Sequence, residues 1–175
     1  MWQQHHRHLT MAVNLSARNL NGRDCGAALR EVDLVAGVAL ENVIVELTET
    51  ALTLDSTAAV HALNRITAAG ARLAIDDFGT GYSSLSHLTR YPVHSLKIDR
   101  SFVTTMLDNE RSRAIIRSTI AMARDLGLVT VAEGVESDVI ASELQNMGCD
   151  QAQGFALGRP LPPAEAEQML ARIAN

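Results

Sequence analysis

Asp76 and Asp77 stand side by side at the end of an apolar run, Leu73-Ala74-Ile75, and are followed at once by Phe78-Gly79-Thr80-Gly81-Tyr82-Ser83-Ser84-Leu85. A strand that delivers acids to a rim and then turns into a loop is how many α/β enzymes present metal ligands. An Asp-rich turn after a buried strand would read the same way from this pair alone. Other runs decide between the two. Met11-Ala12-Val13 leads to Asn14, and Val43-Ile44-Val45 leads to Glu46, with Glu49 close behind. Ser95-Leu96 leads to Lys97 and then Asp99, while Val129-Thr130-Val131-Ala132 leads to Glu133, Gly134, Val135 and Glu136. If these strands are parallel neighbours, their polar ends converge on one face. Crowded acids need something positive to hold them. Asn, Asp and Glu oxygens suit hard divalent cations, with no Cys or His required. Asp76 is placed to bridge two such ions. A paired-metal centre can activate water and stabilise an in-line displacement at phosphorus.

The elements that must position these groups alternate along the chain. Strands are expected over residues 11–15, 43–47, 72–75, 95–98 and 129–132, with a weaker one over 152–156. Helical patterns lie between them. Residues 56–69 carry Val60, Leu63 and Ile66 at helical spacing, with Gly70 as a stop. Residues 111–126 carry Ile115, Ile116 and Ile120 and close at Gly127. Residues 137–147 open on a Ser cap and stop at Gly148, and Pro162-Pro163 precede a last helix with Met169, Leu170 and Ile173. Short strands alternating with helices of this length imply βα units on a parallel sheet. Right-handed crossovers then put all strand C-termini on one edge. With no repeat or linker, residues 1–175 read as a single α/β domain.

Composition bounds the chemistry. The 175 residues suffice for one sizeable core, and 47% hydrophobic with 3% aromatic residues makes that core mostly Ala, Val, Leu and Ile. A formal charge of −5 argues against DNA or RNA as partner, although bound cations would still admit an anionic substrate. Cys25 and Cys149 form no metal-type pair, and the lack of a cysteine framework suits a reducing cytosol. No apolar run approaches the roughly 18–20 residues of a membrane span.

The chain resembles the EAL domain family, the bacterial phosphodiesterases specific for cyclic di-GMP. The matching strings are Val13-Asn14-Leu15-Ser16-Ala17, Val45-Glu46-Leu47-Thr48-Glu49, the run from Asp76 to Leu85, Lys97-Ile98-Asp99-Arg100-Ser101-Phe102-Val103, Ala132-Glu133-Gly134-Val135-Glu136, and Gly148-Cys149-Asp150 through Gln153-Gly154-Phe155. They occur in family order over nearly the whole chain. The resemblance implies a TIM-type (β/α) barrel whose C-terminal rim binds Mg²⁺ or Mn²⁺ and cyclic di-GMP and yields linear pGpG, with Ca²⁺ inhibitory. It implies Asn14, Glu46 and Asp76 as ligands of a first metal, and Asp77 and Glu133 at a second metal or its water. Lys97 is similar to the family's catalytic lysine near the attacking water. Gln153 would lie beside the substrate or metal network, and Asp99 would support it. Glu49 and Glu136 resemble acids that brace the site and the loop after Asp77. That loop, 78–84, is the family's usual dimer-linked element.

One family motif is absent. No Glu-X-Leu strand, whose Glu is a metal ligand, precedes Asn14. The expectation is a barrel with about six of its eight strands, exposed edges that invite self-association, and weak or absent turnover by this chain alone. The alternative reading is an inactive EAL-like module that binds cyclic di-GMP or a protein partner for regulation.

Other features take plain readings. His5, His6 and His8 fit a solvated N-terminus without partner acids. Arg111, Arg113 and Arg117 fit a solvent-facing helix stripe. Met106, Met122, Met147 and Met169 are expected as gap-fillers, and both cysteines as buried thiols.

Overall fold

The computed structural model describes residues 9–16, 39–52, 57–81, 88 and 90–173. Among the described residues six strands form one sheet in chain order, every neighbouring pair parallel. They are β1 (Met11–Asn14), β2 (Val43–Thr48), β3 (Arg72–Phe78), β4 (Ser95–Ile98), β5 (Val129–Glu133) and β6 (Gln151–Gln153). The helices are α1 (Glu49–Leu52), α2 (Thr57–Ala68), α3 (Arg100–Val103), α4 (Glu110–Asp125), α5 (Asp138–Asn146) and α6 (Pro163–Ile173). Consecutive parallel strands, with helices between β2 and β3, β4 and β5, and β5 and β6, make the expected incomplete TIM-type barrel.

Local chemistry sets most boundaries. Helix α4 starts one residue ahead of expectation because the Asn109 side chain accepts hydrogen bonds from Arg111 N at 3.0 Å and Ser112 N at 3.3 Å. The expected Ser137 cap holds, its hydroxyl accepting from Ile140 N at 3.3 Å. The expected strand over 152–156 is displaced to Gln151–Gln153, and the chain turns at Gly154. Among the described residues no helix is long and apolar enough to cross a membrane.

Strand register decides which side chains share a face. Asn14 pairs with Glu46, Glu46 with Ala74, Ala74 with Ser95, Lys97 with Val131, and Glu133 with Gln153. Asp76 lies two residues beyond Ala74, Lys97 two beyond Ser95, and Glu133 two beyond Val131. Steps of two preserve the side on which a residue points, so this whole polar set belongs to one face of the sheet. That concave face borders a cavity of about 480 Å³ whose lining mixes polar groups such as Glu46, Ser95 and Lys97 with apolar ones such as Ala74 and Val131. The other face is apolar. Val43, Val45, Leu47, Leu73, Ile75 and Leu96 pack with Leu63 and Ile66 of α2 and Ala123 of α4. Ile98 and Ala132 pack with Ile116 and Ile120 of α4 and with Ile140 and Leu144 of α5. Each fully buried Val, Leu or Ile contributes roughly 1.5–3 kcal/mol. The residues of β1 and β6, the outer strands, are all exposed.

Several plain readings are revised. Arg111 and Arg117 are exposed, but Arg113 is half-buried in an ion pair with Glu143 of α5. Met106 is buried, whereas Met169 is 45% exposed and fills no gap. Cys149 is only half-buried, its thiol donating to Gln151 O at 3.2 Å, and burial pushes its pKa up. Cys25 and the histidines at 5, 6 and 8 lie outside the described residues.

Asp150 clamps the start of β5. Its Oδ2 accepts from Thr130 N at 2.8 Å and Thr130 Oγ1 at 2.7 Å, and its own N donates back to Thr130 Oγ1 at 3.0 Å. The Thr130 N–H and hydroxyl hold the Asp150 carboxyl below its ordinary range. A depressed carboxyl stabilises the fold above its unfolded pKa, and that contribution is lost as pH falls through the folded value. Asp150 is exposed, so water screens these contacts, and Asp150→Ala is expected to cost no more than about 1 kcal/mol at neutral pH. The deficit should close below roughly pH 4, as urea melts at the two pH values would show.

Candidate active site

The concave rim is organised around one ammonium group. Lys97, at the inner face of β4, is 5% exposed. Its Nζ stands 2.9 Å from Glu46 Oε1, 3.0 Å from Asp76 Oδ1 and 2.6 Å from Glu133 Oε1. One cation thus gathers carboxylates from β2, β3 and β5. Burial acts to lower the Lys97 pKa, but contacts with Glu133, Glu46 and Asp76 outweigh it and push it well up. The group is a fixed positive charge and no base at neutral pH.

Asp76 and Asp77 share this site through a break in the strand. Successive residues of a regular strand point to opposite faces. Here the β3–β4 register shifts between Ile75 and Phe78, and Asp77 takes a left-handed backbone with φ of 56°. Asp77 N donates to Asp76 Oδ1 at 3.1 Å. As a result one oxygen each from Asp76, Asp77 and Glu133 lies within 4.8 Å of the others. A non-glycine residue in that backbone region costs of order 1–3 kcal/mol and occurs where surrounding structure imposes it. The acids carry an electrostatic cost too. Burial raises the Asp77 pKa, with Asp76 and Asp99 adding to the rise. Burial also raises that of Glu133, and Asp76 and Glu46 add repulsion that Lys97 offsets only in part. A divalent cation would relieve this excess of negative charge, and the donors are hard oxygens of the kind Mg²⁺ and Mn²⁺ take. The residues present fit such an ion.

Asp99 and Glu49 hold the two acids and the loop behind them. Asp99 caps α3, accepting from Ser101 N at 2.9 Å and from the Ser101 hydroxyl. Burial would raise its pKa, but the Ser101 bonds and a hydrogen bond with Asp77 lower it. Asp77 and Asp99 are thus shifted in opposite directions, Asp77 up and Asp99 down. Beyond Asp77, Thr80 N and Oγ1 donate to Asp77 O at 3.3 and 2.9 Å. Gly79 has φ of 97°, and its N donates to Glu49 Oε2 at 3.2 Å. A side chain at Gly79 would press on Phe102, whose ring lies 3.2 Å from the Cβ position. Glu49 is buried, and its Oε1 has no hydrogen-bond partner among the described residues. Phe78 is buried and Gly81 exposed beside Glu49. Tyr82, Ser83 and Ser84 lie outside the described residues.

The remaining candidates sit around this centre. Gln153 Nε2 donates to Glu133 Oε1 at 2.8 Å, joining β6 to β5. Asn14 ends β1, exposed and in register with Glu46. Glu136 is exposed, lining a groove of about 540 Å³ beside Glu133 with Arg100, Phe155 and Arg159. Of those last three, Arg100 and Phe155 stand in the family-matching strings without a site role, and Arg159 lies outside them. The available signal was Phe155, one of only three phenylalanines, directly after Gln153-Gly154. It is 56% exposed, with the Arg159 guanidinium 4.5 Å from its ring centre.

The model of the EAL domain family matches residues 1–160. The chain belongs to the EAL domain family. MucR of Pseudomonas aeruginosa, a bifunctional diguanylate cyclase/cyclic di-GMP phosphodiesterase, is 40% identical over 169 residues, which are 97% of this chain and 24% of MucR. The solved MucR phosphodiesterase in complex with c-di-GMP aligns with TM-score 0.88 and 37% identity, covering 94% of this chain and 66% of that one. The EAL domain of Mycobacterium smegmatis DcpA aligns with TM-score 0.91 and 36% identity, covering 98% of this chain and 78% of that one. Klebsiella pneumoniae BlrP1, solved as a manganese/cyclic di-GMP complex, aligns with TM-score 0.78 and 36% identity over 83% of this chain and 38% of that one. The chain spans about a fifth to a quarter of the length of the curated relatives it matches. The EAL resemblance read from the motifs therefore holds.

Proposed function

We propose that this EAL chain hydrolyses one phosphodiester bond of cyclic di-GMP to linear pGpG, using Mg²⁺ or Mn²⁺ and inhibited by Ca²⁺. The observation that carries the reading is the gathering of Glu46, Asp76 and Glu133 around Lys97, with Asp77 turned onto the same rim. The likeness to MucR and BlrP1, both solved with cyclic di-GMP, supports the substrate, and the BlrP1 manganese complex supports the cofactor.

In this reading Asn14, Glu46 and Asp76 hold one ion, and Asp77 and Glu133 hold the second or its water. Bound divalent cations would supply an activated water and charge stabilisation at phosphorus. Lys97 contributes a permanent positive charge at the rim, suited to a phosphoryl oxygen gaining charge. Glu133, its pKa raised by burial, is the carboxylate suited to take a proton from water, and Gln153 orients it from the β6 side. Asp99, hydrogen-bonded to Asp77 and fixed in turn by Ser101, keeps the Asp77 side chain in place. Glu49 anchors the loop after Asp77 through Gly79. The net charge of −5 favours a small anion held by cations over a nucleic-acid polymer, and the cytoplasm is the compartment proposed. Exposed outer strands support self-association, with a homodimer the simplest form.

Incubation with cyclic di-GMP, followed by chromatography, tests the reading. Release of pGpG, even if slow, is expected with Mn²⁺ or Mg²⁺ and not with Ca²⁺. Binding of cyclic di-GMP with no pGpG under any ion would instead favour a regulatory module. Cleavage of other phosphodiesters with none of cyclic di-GMP would reject the substrate.

A further inference from the structure

We infer that Gly154 is a positioning residue for Glu133, acting by letting the turn after β6 stack directly on the backbone of the 133–136 loop. The inference rests on the reading of Glu133 as a cation ligand. Val135, at the centre of that loop, is fully buried, and its backbone is held on both sides. Val135 N donates to Gln153 O at 3.1 Å, and Ala156 N donates to Val135 O at 3.0 Å. Gly154 sits between these two bonds. A Cβ there would overlap Val135 N and O and stand 2.7 Å from the Val135 carbonyl carbon. These are backbone atoms, so no side-chain rotation relieves the clash. The loop has no room to retreat. On its other side Gly134, with φ of 70°, meets α3, and a Cβ at that glycine would lie 2.7 Å from Arg100 Cβ. The loop is thus held between α3 and the turn after β6, with a glycine at each contact.

What this fixes is the aim of Glu133. Gln153 comes directly before Gly154, and its Nε2 donates to Glu133 Oε1 at 2.8 Å. Lys97 Nζ approaches that same oxygen at 2.6 Å. Any shift that accommodates a methyl group at 154 must separate Gln153 from Val135, and Glu133 is carried by the strand leading into Val135. The carboxylate then loses either its Gln153 donor or its place beside Asp76 and Asp77. Partners that orient a metal ligand typically alter metal affinity by about 10–100-fold when removed.

The test is Mn²⁺ titration followed by electron paramagnetic resonance of free Mn²⁺, with thermal melts alongside. Gly154→Ala is expected to weaken Mn²⁺ binding roughly ten- to a hundredfold. Gly158→Ala, in the same turn, is the control, because a Cβ there meets nothing within 4 Å. It should bind as wild type does. Gln153→Ala should weaken binding as well, and the Gly154→Ala/Gln153→Ala double variant should be no weaker than the worse single one, since both act through one contact. A Gly154→Ala protein that melts lower but binds Mn²⁺ as wild type does overturns the inference. Should Gly154→Ala fail to fold, Gln153→Ala decides: weakened binding supports the inference and unchanged binding overturns it. A wild-type chain that binds no Mn²⁺ removes the cation reading itself, and this inference with it.

Discussion

Replacing Asp76 with asparagine is expected to lower cyclic di-GMP turnover by at least about a hundredfold while leaving the fold intact. Asparagine matches the shape of aspartate and keeps an oxygen for the Asp77 N–H, which donates to Asp76 Oδ1 at 3.1 Å. What it removes is the charge. Asp76 stands where both halves of the site meet, 3.0 Å from Lys97 Nζ and within 4.8 Å of carboxylate oxygens from Asp77 and Glu133. Asp76, Asp77 and Glu133 would hold a divalent cation less well with one charge fewer, so Mn²⁺ binding should weaken with turnover. The metal-free protein should melt no lower than wild type. Lys97 still has Glu46 and Glu133 as partners, and one negative charge fewer relieves the crowding that raises the Asp77 and Glu133 pKa values. Turnover kinetics at saturating Mn²⁺ and calorimetric melts check both parts. Wild-type turnover by Asp76→Asn would remove the proposed ligand role.

Lys97→Ala is expected to act oppositely on stability. Removing one partner from a buried ion cluster costs roughly 3–5 kcal/mol, because the other charges stay behind uncompensated. Here the remainder is Glu46, Asp76 and Glu133 around an empty centre. The pH dependence has a definite sign. A lysine whose folded pKa is raised contributes stability below its unfolded pKa, about 10.4, so wild type keeps the full contribution at neutral pH. In the variant, Glu133 and Asp77, already raised, lose a neighbouring cation and rise further. A raised carboxyl favours the folded state as pH falls, so the deficit should be largest near neutrality and shrink towards roughly pH 4.5. Mn²⁺ should restore the melting temperature of Lys97→Ala by more than it raises that of wild type, since an ion supplies the missing charge. Turnover should fall further than Mn²⁺ affinity. Equal losses of turnover and Mn²⁺ binding, with a pH-independent deficit, would remove the role assigned to Lys97.

Much of this arrangement is legible in the residues themselves. Apolar runs ending in Asn14, Glu46, Asp76, Lys97 and Glu133 mark strand ends, and all five lie at or near the end of a strand in the sheet. Glycine stops and the Ser137 cap mark the helices, because caps and left-handed turns depend on a few neighbouring residues. Boundaries drift where a distant partner intervenes. The strand expected near residue 154 ends early because Gly154 turns to meet Val135, a contact between segments remote in sequence.

The amino-acid sequence alone determined the αβ alternation, the residue types at the rim and the family to which they belong. Each of these is written in spacing along the chain. Tertiary structure alone decided how Asp76 and Asp77 both reach that centre, since alternation would send neighbours to opposite faces and the register shift against β4 turns both inward. It also decided that one ammonium group is shared among three acids. That geometry depends on the two-residue stagger between strands, which is set by how separate segments pair across the sheet and by nothing within any one of them.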